Sequence, residues 1–501
     1  MKSVFMCVGA ACMGGGLRVR VDILLFTGFL LMFILAACSG ADEGAQGTQG
    51  GGPAFSSDTV SFGVVISDIG SSTRTLVVYN KGRSSLTIDG VALDKGRESA
   101  FRFNVDGRKG DVFRDLFLAA GDSLFVMIEV TAPFADSDKE VEVKDNLSFV
   151  AGGLTAKVVL TALGRDVIPV RGGLLIDRDT LLSAGRPYLV YDSIVVGEGV
   201  RMSVGRGAQF YMHSDARIVV NGQLEAVGTL DSPVIIRGDR FDNLLDDIPY
   251  DRVSNQWDGI YFGKNSFNSV FDHVIVRNGR SGLTFERSLT GRDKIRLYNS
   301  QITNMSDCVI TASSCSITSA NSEFSNAGGH VVGLFDGEYH FIHCTIVNYY
   351  VIRPGRRGTP ALILERGEGS LLASFENSVV DGYLSTGVEP LGGEISVNGS
   401  PGHDISDMLF NHCALRTIIP ESDERFRQTA SISGETRVYY KMTGSGDNGY
   451  RYDFRPDTAK VLIGKADMAI SAAYPLDRYG VDRITGPDGP DIGAYEYIPE
   501  K

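Results

Sequence analysis

Between about residues 58 and 166 the apolar positions alternate with polar ones in short runs. Thr75-Leu76-Val77-Val78-Tyr79, Ser85-Leu86-Thr87-Ile88, Leu124-Phe125-Val126-Met127-Ile128 and Lys157-Val158-Val159-Leu160 each read as a strand with one face turned inward. Gly, Asn and Asp separate them at roughly the spacing of a β-sandwich. From about residue 167 onward the texture changes. Short β-rich runs recur with Gly and Asn punctuation, and no long stretch carries a 3.6-residue period.

Six of these later runs stack by eye: Phe271-Asp272-His273-Val274-Ile275, Tyr298-Asn299-Ser300-Gln301-Ile302, Ala320-Asn321-Ser322-Glu323-Phe324, Ile342-His343-Cys344-Thr345-Ile346, Glu376-Asn377-Ser378-Val379-Val380 and Phe410-Asn411-His412-Cys413-Ala414. Their second positions fall at 272, 299, 321, 343, 377 and 411, so the spacings are 27, 22, 22, 34 and 34. A 22-residue coil with loop insertions predicts a right-handed parallel β-helix, in which each strand pairs with its equivalent one turn on. A polar residue at the repeated bend then bonds to its counterparts above and below. Alternation puts Ser300, Ser322, Cys344 and Ser378 on the same inner side as Ile302, Phe324, Ile346 and Val380. A sandwich array would need hairpin signals between adjacent strands, and few are found. The fold class is therefore all-β: a small sandwich followed by a long solenoid.

The other end of the chain has a different pattern. Ile23 to Ala37 is a mostly apolar run of 15 residues preceded by Arg18 and Arg20, too short for a membrane span of about 20 residues but suited to the core of a signal peptide. It ends in Leu35-Ala36-Ala37-Cys38, which resembles the lipobox of bacterial lipoproteins. That resemblance implies removal of residues 1–37, lipidation of Cys38 and anchoring in a membrane through the N-terminal lipid. A start at Met13 would give a signal of more usual length. Residues 38–57 are glycine-rich and read as a tether. Within them Ala41-Asp42-Glu43 resembles the acidic export signal of surface lipoproteins in some Gram-negative bacteria, which implies an outer-membrane anchor exposed on the cell surface.

Within 58–166, Phe62-Gly63, Tyr79-Asn80-Lys81-Gly82 and Ala120-Gly121-Asp122-Ser123 resemble the abnormal-spindle/Hydin (ASH) type of immunoglobulin-like module, which implies a spacer or interaction domain without chemistry of its own. In 167–501, Tyr188 to Val200 and Ile218 to Thr229 resemble the opening coils of secreted β-helix proteins. Asp482-Arg483 and Gly489-Pro490-Asp491-Ile492-Gly493-Ala494-Tyr495-Glu496 resemble the closing motif of choice-of-anchor Q proteins. That family is surface-located and β-helical, without one assigned activity. Asp491 and Glu496 are expected to fix the terminal turn.

Composition narrows the function. A net charge of −13 over 501 residues argues against a nucleic-acid partner, since phosphate binding needs a basic face. Glycine, at 60 residues, is in excess and belongs to the tether and the corners between strands. Excluding Cys7, Cys12 and Cys38, the cysteines are Cys308, Cys315, Cys344 and Cys413. Their spacing fits neither zinc nor a disulfide framework, so buried thiols are expected.

Enzymatic β-helices such as pectate lyases stack carboxylates on neighbouring coils, whereas here only Asp272 is acidic among the six bend positions. His340 and His343, three apart on a strand, face opposite sides and do not make a metal pair. The densest constellation is the insertion Gly238 to Arg252, with Asp239, Asp242, Asp246, Asp247 and Asp251 beside Arg240 and Arg252, just before Trp257. One reading is a calcium-binding or glycan-contacting loop in which Tyr250 or Trp257 supplies a stacking surface. The other is a loop ordered by its own Asp–Arg pairs, with Trp257 packed against the solenoid. No cofactor motif appears apart from this calcium reading. The expected role is non-catalytic binding, adhesion or structure, with a polysaccharide or surface glycan as partner. The alternative is a polysaccharide lyase or glycoside hydrolase working through insertion loops.

Overall fold

The computed structural model describes residues 52–245, 248–288, 291–351, 358–386, 391–399, 407–433, 438–441 and 452–499. The segment read as a signal peptide and Cys38 lie outside the described residues. Alternating side chains close the N-terminal region into two five-stranded sheets. One runs Ala54–Phe55, Arg74–Tyr79, Ser123–Val130, Phe101–Val105, Arg108–Lys109; the other runs Thr59–Ile66, Leu154–Arg165, Val141–Ala151, Leu86–Leu93, Val112–Leu118. Thr59–Ile66 joins parallel to Leu154–Arg165, and the other pairings are antiparallel. Leu76, Val78, Val91, Val126, Ile128 and Phe149 are wholly buried between the sheets. Asn80 is buried in the turn its motif marked, where Nδ2 donates to the carbonyls of Ser84 (2.9 Å) and Ala119 (2.9 Å). This is an immunoglobulin-like sandwich.

The sandwich's last strand ends at Arg165, and the first coil of a parallel β-helix opens at Ile168. Eleven strands from Ile168–Val170 to Ala430–Ser431 form one parallel face. Two further ladders make the other faces, and they merge into one 17-stranded sheet because Ile310–Ala320 and Val332–Ile342 bend across both. Consecutive coils pair in register: Ile194 with Ile218, Met202 with Leu224, Phe210 with Ile236. Identical positions therefore stack inside. Phe341, Phe375, Phe410 and Phe426 form a column with successive ring centroids 5.2, 4.9 and 5.1 Å apart. The corners are tight enough to demand glycine. A Cβ at Gly222 would lie 2.1 Å from the Val200 carbonyl oxygen.

The stacked inner set is as the alternation predicts, with Ser300, Ser322, Cys344 and Ser378 and their partners Ile302, Phe324, Ile346 and Val380 all fully buried. The bend register differs at both ends of the series. Left-handed backbone occurs at His273, Asn299, Asn321, His343, Asn377 and His412, and Asp272 pairs with Tyr298 while Asn411 pairs with Glu376. The first and last bends thus fall at 273 and 412, one residue later than the sequence stacking put them. The bend residue is set by backbone handedness, and an αL imidazole serves there as well as Asn. The polar ladder itself exists: Asn299 Nδ2 donates to Asp272 Oδ1 (2.9 Å), and Asn321 Nδ2 to Asn299 Oδ1 (3.4 Å).

After the last coil the chain doubles back over the outside of the 11-stranded face, where Ile492, Ala494 and Tyr495 pack with Val347, Val379 and Ala414. Among the described residues no helix is long and apolar enough to cross a membrane. Cys315, Cys344 and Cys413 are buried as expected, but Cys308 is partly exposed, because it sits on a bend and not on an inward strand position.

Candidate functional site

The insertion after Val234–Gly238 folds down over the outer side of the 11-stranded face. Arg237 and Arg277 project there from adjacent coils, and like charges one rung apart need a counter-charge. Asp251 Oδ1 supplies it, 3.1 Å from Arg237 and 2.9 Å from Arg277. Burial lowers the pKa of Arg237, with Asp251 opposing the shift. Arg240 forms a fork with Asp242 (2.7 and 2.5 Å) and lies 4.0 Å over the Tyr250 ring. Burial pushes the Asp242 carboxyl up, yet its bonds from Arg240 and from Ser72 of the sandwich hold it below the ordinary range.

This arrangement corrects two parts of the ligand-loop reading. Trp257 is only 2% exposed, and its Nε1–H donates to the Arg277 carbonyl at 2.8 Å. Its indole belongs to the solenoid core and offers no stacking surface, because the chain re-enters the coil at that residue. Tyr250 already has Arg240 on its ring. Asp239, Asp242 and Asp251 each serve a different cationic or imidazole partner, so they do not converge on a calcium ion. Among the described residues no group of three His, Cys, Asp or Glu side chains could hold a metal. Asp246 and Asp247 lie outside the described residues. The Asp–Arg pairs order the loop, as the second reading anticipated.

The loop also docks the two domains. Phe241 meets Tyr211 edge-on at 4.9 Å, while Tyr211 and Leu189 pack with Ile66 of the sandwich. Arg165, the last residue of the sandwich, donates to Tyr211 Oη (2.5 Å), Gln209 Oε1 (3.1 Å) and Glu140 (2.6 Å). Beside this joint a cleft of 390 Å³ opens. Its sandwich wall is mainly apolar, with Val64, Ile66 and Ile69 beside Ser71 and Ser72, and its solenoid wall carries His213, Asp239 and Arg240. His213 Nδ1 lies 2.6 Å from Asp239 Oδ2. The Tyr191 ring, 5.0 Å from His213, carries the Arg171 guanidinium at 3.9 Å. One apolar wall facing one hydrogen-bonding wall suits a small polar ligand with an apolar face. The sandwich, expected to be a spacer or interaction domain without chemistry of its own, supplies one side of the cleft without any titratable group.

A second, more polar notch of 270 Å³ lies across the same bend, with Ser214, Asp215, Asn255 and Trp257 in its walls. Asp258 there accepts from Arg280 and lies 3.7 Å from Arg217. The sequence offered no signal for His213, Arg217 or Arg280. Arg217 and Arg280 come from different coils, and only the register that sets Arg217 beside Gly259 brings them near Asp258.

The closing motif forms a third cluster, and it is structural. Arg483 is completely buried; it pairs with Glu496 and donates to Asn321 Oδ1 (3.2 Å) and the Gly493 carbonyl (3.1 Å). Tyr495 donates to Glu323. His343 lies under the same segment, bonded to Gly493 O (3.3 Å), Ser471 Oγ (2.9 Å) and Asn377 Nδ2 (3.0 Å), and burial holds its pKa well below the ordinary value. His340 points elsewhere, to Ser374 Oγ (2.8 Å). Asp491 accepts from Gly464 N (2.7 Å) and Tyr497 N (2.6 Å). The motif therefore bolts the returning chain onto the polar ladder.

No family profile matches the chain, and no curated protein sequence matches it. Solved structures that share 24% of it include the ASH/PapD-like domain of human CEP192 (PapD-like domain 7; 14% identity, 92% of that chain, TM-score 0.17). The periplasmic chaperone SfaE is 20% identical over 61% of its own chain, with TM-score 0.17. A family 123 glycoside hydrolase from Clostridium perfringens, described for glycolipid glycan hydrolysis, is 8% identical over 26% of its chain, with TM-score 0.17. At such identities none of the three says what this chain does.

Proposed function

We propose that this chain is a surface lipoprotein, anchored in the outer membrane through Cys38, that binds a glycan in the cleft between sandwich and solenoid. The observation that carries the reading is the pairing of an apolar wall (Val64, Ile66, Ile69) with a hydrogen-bonding wall (His213, Asp239, Arg240) in a space of 390 Å³. A pyranose ring presents that same combination, an apolar face of C–H groups and an edge of hydroxyls. The lipobox before Cys38 and the closing motif, similar to that of choice-of-anchor Q proteins, support placement at the cell surface. The role is capture or adhesion, without bond cleavage.

The test is a glycan array probed with the detergent-solubilised full chain, followed by calorimetry on the hits. His213→Ala is expected to weaken binding about tenfold, the equivalent of about 1.4 kcal/mol from one lost hydrogen-bonding group. Silence across the array, or hits that His213→Ala and Arg240→Ala leave unchanged, would overturn the site. New reducing ends or unsaturated products from a bound polysaccharide would instead assign a hydrolase or lyase. Mass spectrometry of the mature N-terminus tests the anchor separately, and an unmodified N-terminus at any residue other than Cys38 would remove it.

A further inference from the structure

Ile310 pairs with Val332 and Thr311 with Gly333, so Cys308 and His330 hold equivalent positions on neighbouring coils. Rungs of a parallel sheet are about 4.8 Å apart, which brings the two side chains together on the bend. Cys308 Sγ is 3.5 Å from His330 Nδ1, and His330 Nε2 is 3.0 Å from Thr311 Oγ1. Two glycines leave the room this requires. A Cβ at Gly333 would fall 2.5 Å from His330 Nε2, and one at Gly329 would fall 3.3 Å from Cys308 Sγ. The other groups facing His330 are the Asp307 carboxylate and the Phe335 ring, 6.4 Å away.

The remaining described thiols have a different setting. Cys315, Cys344 and Cys413 are fully buried, and burial pushes them up to about 11, about 11 and about 12. Cys308 alone among the described cysteines is both partly exposed and paired with an imidazole. Burial also lowers the pKa of His330, against the opposing pull of Asp307, so near neutral pH the ring is an uncharged base. The tautomer with its proton on Nε2 donates to Thr311 Oγ1 and leaves Nδ1 to take the thiol proton.

We propose that Cys308 and His330 form a reactive thiol site that exchanges with low-molecular-weight aliphatic disulfides. His330 Nδ1 takes the proton from Cys308, and the thiolate attacks one sulfur of the disulfide. A Cys308–S–S–R bond forms as the R–S–S–R bond breaks. The leaving thiolate takes the proton from His330 and departs as R–SH. The Cys308 sulfur is oxidised, the departing sulfur is reduced, and no further oxidant enters. Thr311 is a positioning residue that holds the ring.

The test uses the full chain in detergent with 2-hydroxyethyl disulfide as probe, read by peptide mass mapping over time. Cys308 is expected to carry the mixed disulfide at least tenfold faster than Cys315, Cys344 or Cys413. A simple thiol loses about tenfold in rate per pH unit below its pKa of about 8.5. With the imidazole as base, the Cys308 rate is expected to fall less than about threefold between pH 8 and 6.5. His330→Gln is expected to restore the simple-thiol slope, and Thr311→Val to steepen it partially. A native Cys308 that stays unmodified, or a wild-type profile with the slope of free 2-mercaptoethanol, would overturn the proposal. The wild-type profile decides even where a variant does not fold.

Discussion

The buried clamp of the closing motif invites a direct perturbation, Arg483→Ala. The guanidinium is completely buried and serves three acceptors at once: Glu496, Asn321 Oδ1 at 3.2 Å and the Gly493 carbonyl at 3.1 Å. Truncation leaves a buried carboxylate without its cation and two further oxygens without a donor. Removing one partner of a buried ion pair costs about 3–5 kcal/mol, and each orphaned acceptor adds to the strain on the dock. Solenoid stability is a sum over neighbouring units, so the loss stays local. The returning chain should detach from the 11-stranded face while the coils beyond it remain folded. Hydrogen exchange read by mass spectrometry suits this. Peptides from 464–499 should exchange at least about a hundredfold faster, the equivalent of about 3 kcal/mol, whereas peptides from 193–227 should not change. Exchange in 464–499 within threefold of wild type would refute the claim that this ion pair bolts the segment down.

Two other expectations follow from the same packing. Burial raises the Glu496 carboxyl from 4.5 to about 7, with Arg483 opposing. A raised folded-state pKa favours the native state in acid, so this contribution is present below about pH 4.5 and fades as pH rises through about 7, a change on the order of 3 kcal/mol. Glu496→Gln should flatten that part of the stability–pH curve, measured by urea unfolding, and an unchanged slope would count against it. Phe375 is fully buried between Phe341 and Phe410, with ring centroids 5.2 and 4.9 Å away. Phe375→Ala should therefore cost about 3–5 kcal/mol, seen as a lower denaturant midpoint, and a loss below about 1 kcal/mol would mean the column is not close-packed.

Much of the fold is legible in the sequence. Period-two alternation marks four strands of the sandwich, and the 22-residue recurrence of Asn with small and then large apolar residues specifies the coil, because identical positions must stack when strands pair in parallel. Asp491 and Glu496 were recognisable as closing residues from the motif around them. Local chemistry also anticipated the Asp–Arg pairing within the 239–252 insertion, since Arg240 and Asp242 are two residues apart. What the string of residues does not encode is which distant bends become neighbours. Coil length varies with each insertion, so the bends at 273 and 412 slipped by one residue in the stacking. Its polar loop left Trp257 open between a stacking surface and packing against the solenoid, and strand re-entry decides for the core. The cleft at His213 and the notch around Asp258 arise only when the insertions are closed and the rungs brought to about 4.8 Å; Cys308 and His330 are one 22-residue coil apart, and their meeting depends on the same rung spacing. Sequence determines the period and the inward set, because alternation is a property of the backbone itself. The tertiary structure decides the sites, because they are built across coils from side chains that share only a register.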